Sequence, residues 1–296
     1  TYFKLNHIKM KYIKSLLSVC FILGLVQLNA QRISEQFKTH WFDGFAEISS
    51  YALNQSRYGE VREGSAVLIY VTEDFLKKEQ VKANQKSKTS VAVLKSNRTK
   101  KFLTGIYPYS IMTSSFSGLK SPQPIIKNSA SIQEWCGQSY LQMNRKEKQL
   151  EVISHSYFEG EADQAFTLEE NRTEDELWNL IRLRPQALPL GNLKLIPSLE
   201  SSRLNHKTIE AYDATASIEQ KNNTTVYTIT YPKLQRSLAI EFNSSFPHTI
   251  EGWVEQVLGK GAAFTSTAKR IHTERRQYWR ENDNSSTQYR APFKLD

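Results

Sequence analysis

From residue 45 onward the chain is a succession of short apolar–polar alternations separated by turn residues, and that period of two is its strongest constraint. Residues two apart share one face of a strand. Residues 45–53 set Ala46, Ile48 and Ala52 opposite Glu47, Ser49 and Tyr51. Residues 66–71 are denser in apolar side chains, as a buried strand requires, and Gly59 and Gly64 punctuate the approach. Residues 91–94, 102–116, 131–143 and 150–158 also read as strands, with 144–148 as the polar connector of a hairpin. A second set follows at 212–218, 227–231, 238–242 and 250–258, at the spacing of a meander. Residues 77–90 are polar and lysine-rich, a long loop or exposed hairpin, and the prolines of 121–124 break the segment before 131.

One segment departs from this period. Thr173 and Glu176 form a Thr-x-x-Glu capping box, and Leu177, Trp178, Leu180 and Ile181 follow at helical spacing. Pro185 disfavours the helical conformation at Arg184 and stops the helix. The apolar stripe is expected to lie on the sheet. Residues 189–197 read as an extended crossing. Strands on both sides of one helix predict a mainly β fold: a curved antiparallel sheet, either a half-barrel or two packed sheets, with one or two helices.

From Met10 the chain reads MKYIKSLLSVCFILGLVQLNAQ. A short basic leader, an apolar run over 16–28 and small Ala30 have the order of a secretory signal peptide cleaved after Ala30. The run is shorter than the ~20 residues of a comfortable membrane span. The expected organisation is therefore a leader and signal peptide at 1–30 and a single β-rich domain at 31–260. A basic tail at 261–296 is expected to be partly helical or disordered, with 269–280 as an exposed helix. Export places the protein in the periplasm or on the envelope. Loss of Lys4, Lys9, Lys11 and Lys14 takes the net charge from +9 to +5, too mild an excess to indicate a nucleic-acid partner. Cys136 is then the sole cysteine, so no disulfide forms within the chain and the core must supply the stability.

The stretch SHSYFEGEAD at 154–163 concentrates titratable groups. His155, Glu159, Glu161 and Asp163 are candidate metal ligands on the odd-numbered face, against the alternative of a solvated strand end. Same-face neighbours stand about 6.6 Å apart, so the whole row cannot reach one ion, and Gly160 permits a bulge that splits it. Cys136 is a candidate nucleophile if His155, on the next strand, serves as its base with Glu159 nearby; the competing reading is a structural cysteine beside Trp135. Tyr107, Tyr109, Trp135 and Tyr157 are candidate ligand-binding aromatics on a curling sheet, or else core. No nucleophile elbow, phosphate loop, dinucleotide fingerprint or His-Glu-x-x-His occurs, and no cofactor is expected.

Six stretches carry a resemblance: WFDGFAEI at 41–48, YVTEDFL at 70–76, TGIYPYSIM at 104–112, SIQEWCG at 131–137, HSYFEGEAD at 155–163 and FPHTIEGW at 246–253. With them, most of residues 41–258 resembles an uncharacterised exported family of Bacteroidota-type bacteria whose members often bear the label septum formation inhibitor Maf. True Maf proteins are intracellular nucleotide pyrophosphatases with an N-terminal Ser-Pro-Arg-Arg type motif. This sequence lacks that motif, and no functional residue carries over. The resemblance implies an exported protein without an assigned reaction. The leading expectation is a non-enzymatic envelope protein that binds an apolar ligand, a lipid for instance, or a protein partner on a curved sheet. The alternatives are an exported hydrolase using Cys136 or the His155 and Glu159 cluster, and a Maf-like pyrophosphatase. An assembly role would use 269–280 as the docking element.

Overall fold

The structure, a computed structural model, describes residues 35–119, 125–259 and 263–295. The leader and signal peptide expected at 1–30 and the proline break at 121–124 lie outside the described residues. The chain divides into two units, 1–39 and 40–296, and every described strand belongs to the second. The turn signals of the sequence are obeyed closely: Tyr58 and Gly59, Glu147 and Asn222 all have positive φ where the chain reverses.

The first group of strands is β1 (Ala46–Arg57), β2 (Glu60–Leu76), β3 (Val81–Lys82), β4 (Ser90–Thr104), β5 (Tyr107–Gly118), β6 (Lys127–Glu134), β7 (Gly137–Lys146), β8 (Gln149–Ser156) and β9 (Gln164–Glu169). The short β10 (Arg172–Thr173) leads into helix α2 (Glu174–Leu183), the first helix α1 (Glu35–Trp41) lying before β1. The second group is β11 (Gly191–Ile196), helix α3 (Leu199–Leu204), β12 (Tyr212–Lys221), β13 (Thr224–Tyr231), β14 (Arg236–Asn243), β15 (Ile250–Leu258) and β16 (Ala263–Arg276). All belong to one sheet of order β10-β11-β12-β13-β14-β15-β16-β1-β2-β4-β5-β6-β7-β8-β9, with β3 beside β2. Among the described residues every pairing is antiparallel except β10 with β11. The sheet is curved and does not close, so of the two expected arrangements the single sheet is the one formed.

Geometry shows what the sheet curves around. Tyr231 on β13 and Asn128 on β6 reach consecutive residues of α2: Tyr231 OH lies 2.9 Å from Glu174 and Asn128 Nδ2 lies 2.5 Å from Asp175. Those strands are eight places apart in the sheet, about 38 Å if it were flat at ~4.8 Å per strand. A helix of this length is only about 15 Å long. The sheet must therefore wrap the helix. The concave face is filled by α2, α3 and large side chains such as Tyr51, Tyr70, Phe75, Tyr227 and Phe242, all at most 1% exposed. Each such side chain contributes roughly 1.5–3 kcal/mol by leaving water.

Three expectations need correction. Residues 102–116 and 131–143 are hairpins rather than single strands, pairing Thr104 with Tyr107 and Glu134 with Gly137. Their tips carry Ile106 and Trp135, 84% and 69% exposed, where polar turn residues were expected, and so the break was hidden. Second, residues 263–276 are neither tail nor helix. They form β16, hydrogen-bonded to β15 on one side and β1 on the other, and so join the two strand groups. The inward Ser266 and Ala268 are too small to give an apolar signal. Arg270 is paired with Glu251 of β15 at 2.8 Å, and Arg275 with Asp43, just before β1, at 2.6 Å. Third, the end of the chain packs: Phe293 is buried, with its ring 5.0 Å from that of His272.

Candidate functional site

Helix α2 organises the interior. Thr173 accepts from Glu176 N at 3.2 Å, and the Glu176 carboxylate accepts from Thr173 N at 3.3 Å, so the box closes as the sequence requires. The other polar side chains of the helix are buried as well, and each has a partner on the sheet. Glu174 accepts two bonds from Arg236, at 2.5 and 2.8 Å, and one from Tyr231. Asp175 is paired with Arg98 and also accepts from Asn128 and, at 3.1 Å, from Leu199 N. Arg182 meets Glu47 at 2.7 Å. Asn179 donates to Leu94 O and Ser117 Oγ at 3.1 Å. A buried charge is tolerated only with such partners.

The carboxyl groups respond to these settings. Burial pushes Glu47 up, but Arg182 and His40 outweigh it and hold its pKa down at about 2. Burial likewise opposes ionisation of Asp175, and the Arg98 guanidinium with the Asn128 and Leu199 donors wins, lowering it. In Glu176 burial prevails over Arg172 and the two backbone donors, and the carboxyl is raised.

Between α2, α3 and the sheet lies a cavity of about 310 Å³. That is within the range of small-molecule sites, roughly 300–1,000 Å³. Its apolar lining includes Leu68, Trp178, Leu238, Trp253 and Phe264, the two indoles meeting edge to face at 5.4 Å. Its charged lining includes Arg57, Arg98, Lys100 and Arg236, with Glu174, Glu200 and Glu255. On β4 the period of two puts Arg98, Lys100 and Phe102 on the buried face and Lys101 and Leu103 outside. Lys100 pairs with Glu200 of α3 at 2.7 Å.

The lining reaches the end of the sheet where the β1–β2, β4–β5 and β6–β7 turns gather. There the aromatics form a file. Trp135 stacks on Tyr107 at 6.4 Å, Tyr107 approaches Tyr109 at 6.1 Å, and Tyr109 lies parallel to Phe102 at 4.9 Å. Exposure falls along it from 69% at Trp135 to 2% at Tyr109. Tyr58 joins from the side, its hydroxyl 2.6 Å from that of Tyr109. The Arg57 guanidinium lies over both rings, 4.5 Å from the Tyr58 centroid and 5.4 Å from that of Tyr109. Of the four aromatics singled out in the sequence, Tyr107, Tyr109 and Trp135 come together in this file. Tyr157 stands apart at the same end, 77% exposed, its ring so close over Gly137 that a Cβ there would come within 2.8 Å.

The acidic stretch is divided. Strand β8 ends at Ser156, and Gly160, with φ of +77°, turns the chain before β9. His155 Nδ1 lies 3.0 Å from Asp163 on the exposed surface. Glu161 turns away to His206, to Ser156 Oγ at 3.1 Å and to Arg203 at 3.4 Å, while Glu159 is simply exposed. Among the described residues no three histidine, cysteine or acidic side chains gather as metal ligands. Cys136 is exposed in the β6–β7 turn, and His155 pairs with Tyr140, four residues along from it. Glu134 beside the thiol raises its pKa, the opposite of what a nucleophile needs. Neither the metal row nor the cysteine–histidine pair is assembled.

The residues that do converge, Arg57, Arg98, Lys100, Arg236, Glu174 and Glu200, were passed over in the sequence. A signal was present: Arg98 and Lys100 occupy the inward phase of a strand whose continuation is Phe102. Charge at an inward position asks for a buried partner. No protein-family model and no curated protein matches the chain.

Proposed function

We propose that this is an exported, non-enzymatic binding protein that seats an amphipathic ligand between the concave sheet and helices α2 and α3. The observation that carries the proposal is a cavity whose lining combines Trp178, Trp253 and Phe264 with charged side chains. The aromatic file from Trp135 to Phe102 runs from solvent towards its lining. Export rests on the leader of the sequence and on the family resemblance, which also suggests an envelope setting. The mixed wall favours a ligand with a polar group over a purely apolar one. A docking role for 269–280 has less support, because β16 is hydrogen-bonded on both edges.

The test is native mass spectrometry of the protein isolated from its own envelope, with tryptophan fluorescence during titration with decanol, decanoate and decyl phosphate. A copurifying amphiphile, or a saturable change in emission, is the expected result. Empty protein that responds to none of the three overturns the proposal.

A further inference from the structure

If the cavity is a ligand site, as proposed above, its charges select the ligand. Among the described residues four cations line it, and three are matched by acids. Arg236 is held by Glu174 and Glu255, Lys100 by Glu200, and Arg98 by Asp175. Arg57 differs. Its Nη1 donates to Leu204 O at 2.7 Å and its Nη2 to Tyr109 OH at 3.3 Å, and among the described residues no carboxylate lies within ion-pair distance. Two guanidinium donors of the lining, Arg57 Nε and Arg98 Nη1, are buried without an acceptor among the described residues. Donors of this kind favour a planar, charged acceptor.

We propose that the ligand is an anionic amphiphile, its carboxylate or phosphate group held by Arg57 and its hydrocarbon lying against Trp178 and Trp253. Arg57 sits at the turn end, between the aromatic file and the cavity, so the acid group lies towards solvent and the hydrocarbon inward. The flat faces of Tyr58 and Tyr109 fix the guanidinium in place, so little of its freedom is lost on binding.

The experiment compares decanoate and decyl phosphate with decanol, and with acetate and inorganic phosphate, by tryptophan fluorescence on the full-length secreted protein. Both acid amphiphiles are expected to bind at least about tenfold more tightly than decanol. Arg57→Gln is expected to reduce that preference to within about threefold, and Arg57→Lys to retain most of it. Equal affinity for decanol and decanoate overturns the anion assignment and leaves the binding function standing. Inorganic phosphate binding as tightly as decyl phosphate overturns the amphiphile assignment in favour of a free-anion site. An acid preference that persists undiminished in a folded Arg57→Gln protein overturns the role of Arg57. If no compound binds, the cavity is not a ligand site and both proposals fall. Should Arg57→Gln fail to fold, the wild-type preference and its retention in Arg57→Lys still decide the matter.

Discussion

Two acidic clusters in this chain look alike as strings and differ as chemistry. Glu174, Asp175 and Glu176 open helix α2, while Glu159, Glu161 and Asp163 follow strand β8. The first three are at most 3% exposed, and each is met by an arginine. The second three lie on the surface or at its edge, and their ion pairs are with solvent-exposed histidines or a single arginine. Burial makes the difference. In water an acid needs no partner, and an exposed pair is worth little. Inside the sheet an acid without a partner would not remain charged, so the fold has to supply a cation and donors at fixed positions.

The largest effect is expected at the buried cluster. Asp175→Ala strands Arg98 and leaves Asn128 and Leu199 N without their acceptor, and should cost roughly 3–5 kcal/mol in urea denaturation. A loss below about 1 kcal/mol would erase the contrast between the clusters. Next comes pH. The folded pKa of Glu47 is depressed to about 2 from 4.5, so its contribution is complete above the unfolded value and is lost as pH falls through the folded one. That contribution is roughly 3 kcal/mol, and Glu47→Gln should remove the corresponding acid limb from a plot of unfolding free energy against pH. A wild-type profile that stays flat across this window would contradict the assignment. Removing the helix cap with Thr173→Ala should cost about 1 kcal/mol, read as a shift in denaturation midpoint at constant slope. At the exposed cluster, His155→Ala combined with Asp163→Asn should change stability by less than about 0.5 kcal/mol. A larger loss would show that the surface pair helps to hold the turn. Smallest of all, Glu134→Gln should leave the melting temperature unchanged and raise the rate of Cys136 alkylation by about threefold or more, because the carboxylate no longer disfavours the thiolate.

Legibility followed the same division. The alternation of β12 to β15 and the capping box of α2 are local patterns, and both were read at nearly their observed limits. The division of 154–163 at Gly160 was also foreseeable, since only glycine takes that backbone conformation without cost. β16 was missed because its inward residues are small and its conspicuous residues are basic. A central strand signals itself through large apolar side chains, and Ser266 and Ala268 are not that. The candidate site was hardly visible. Tyr107, Tyr109 and Trp135 were noticed as a surplus of aromatics, but nothing in their spacing placed Arg57 over Tyr109, more than fifty residues away.

By itself the sequence determined the period of the strands, most of the turns, and the start and stop of one helix. Each of these depends on the steric and hydrogen-bonding preferences of neighbouring residues. Only the tertiary structure decided which charges are buried, that the two strand groups meet along β1 and β16, and that the cavity brings Arg57, Arg98 and Trp253 together. Those outcomes depend on the curvature of the whole sheet around α2. Curvature sums small twists over many strands, and so no short stretch of the sequence contains it.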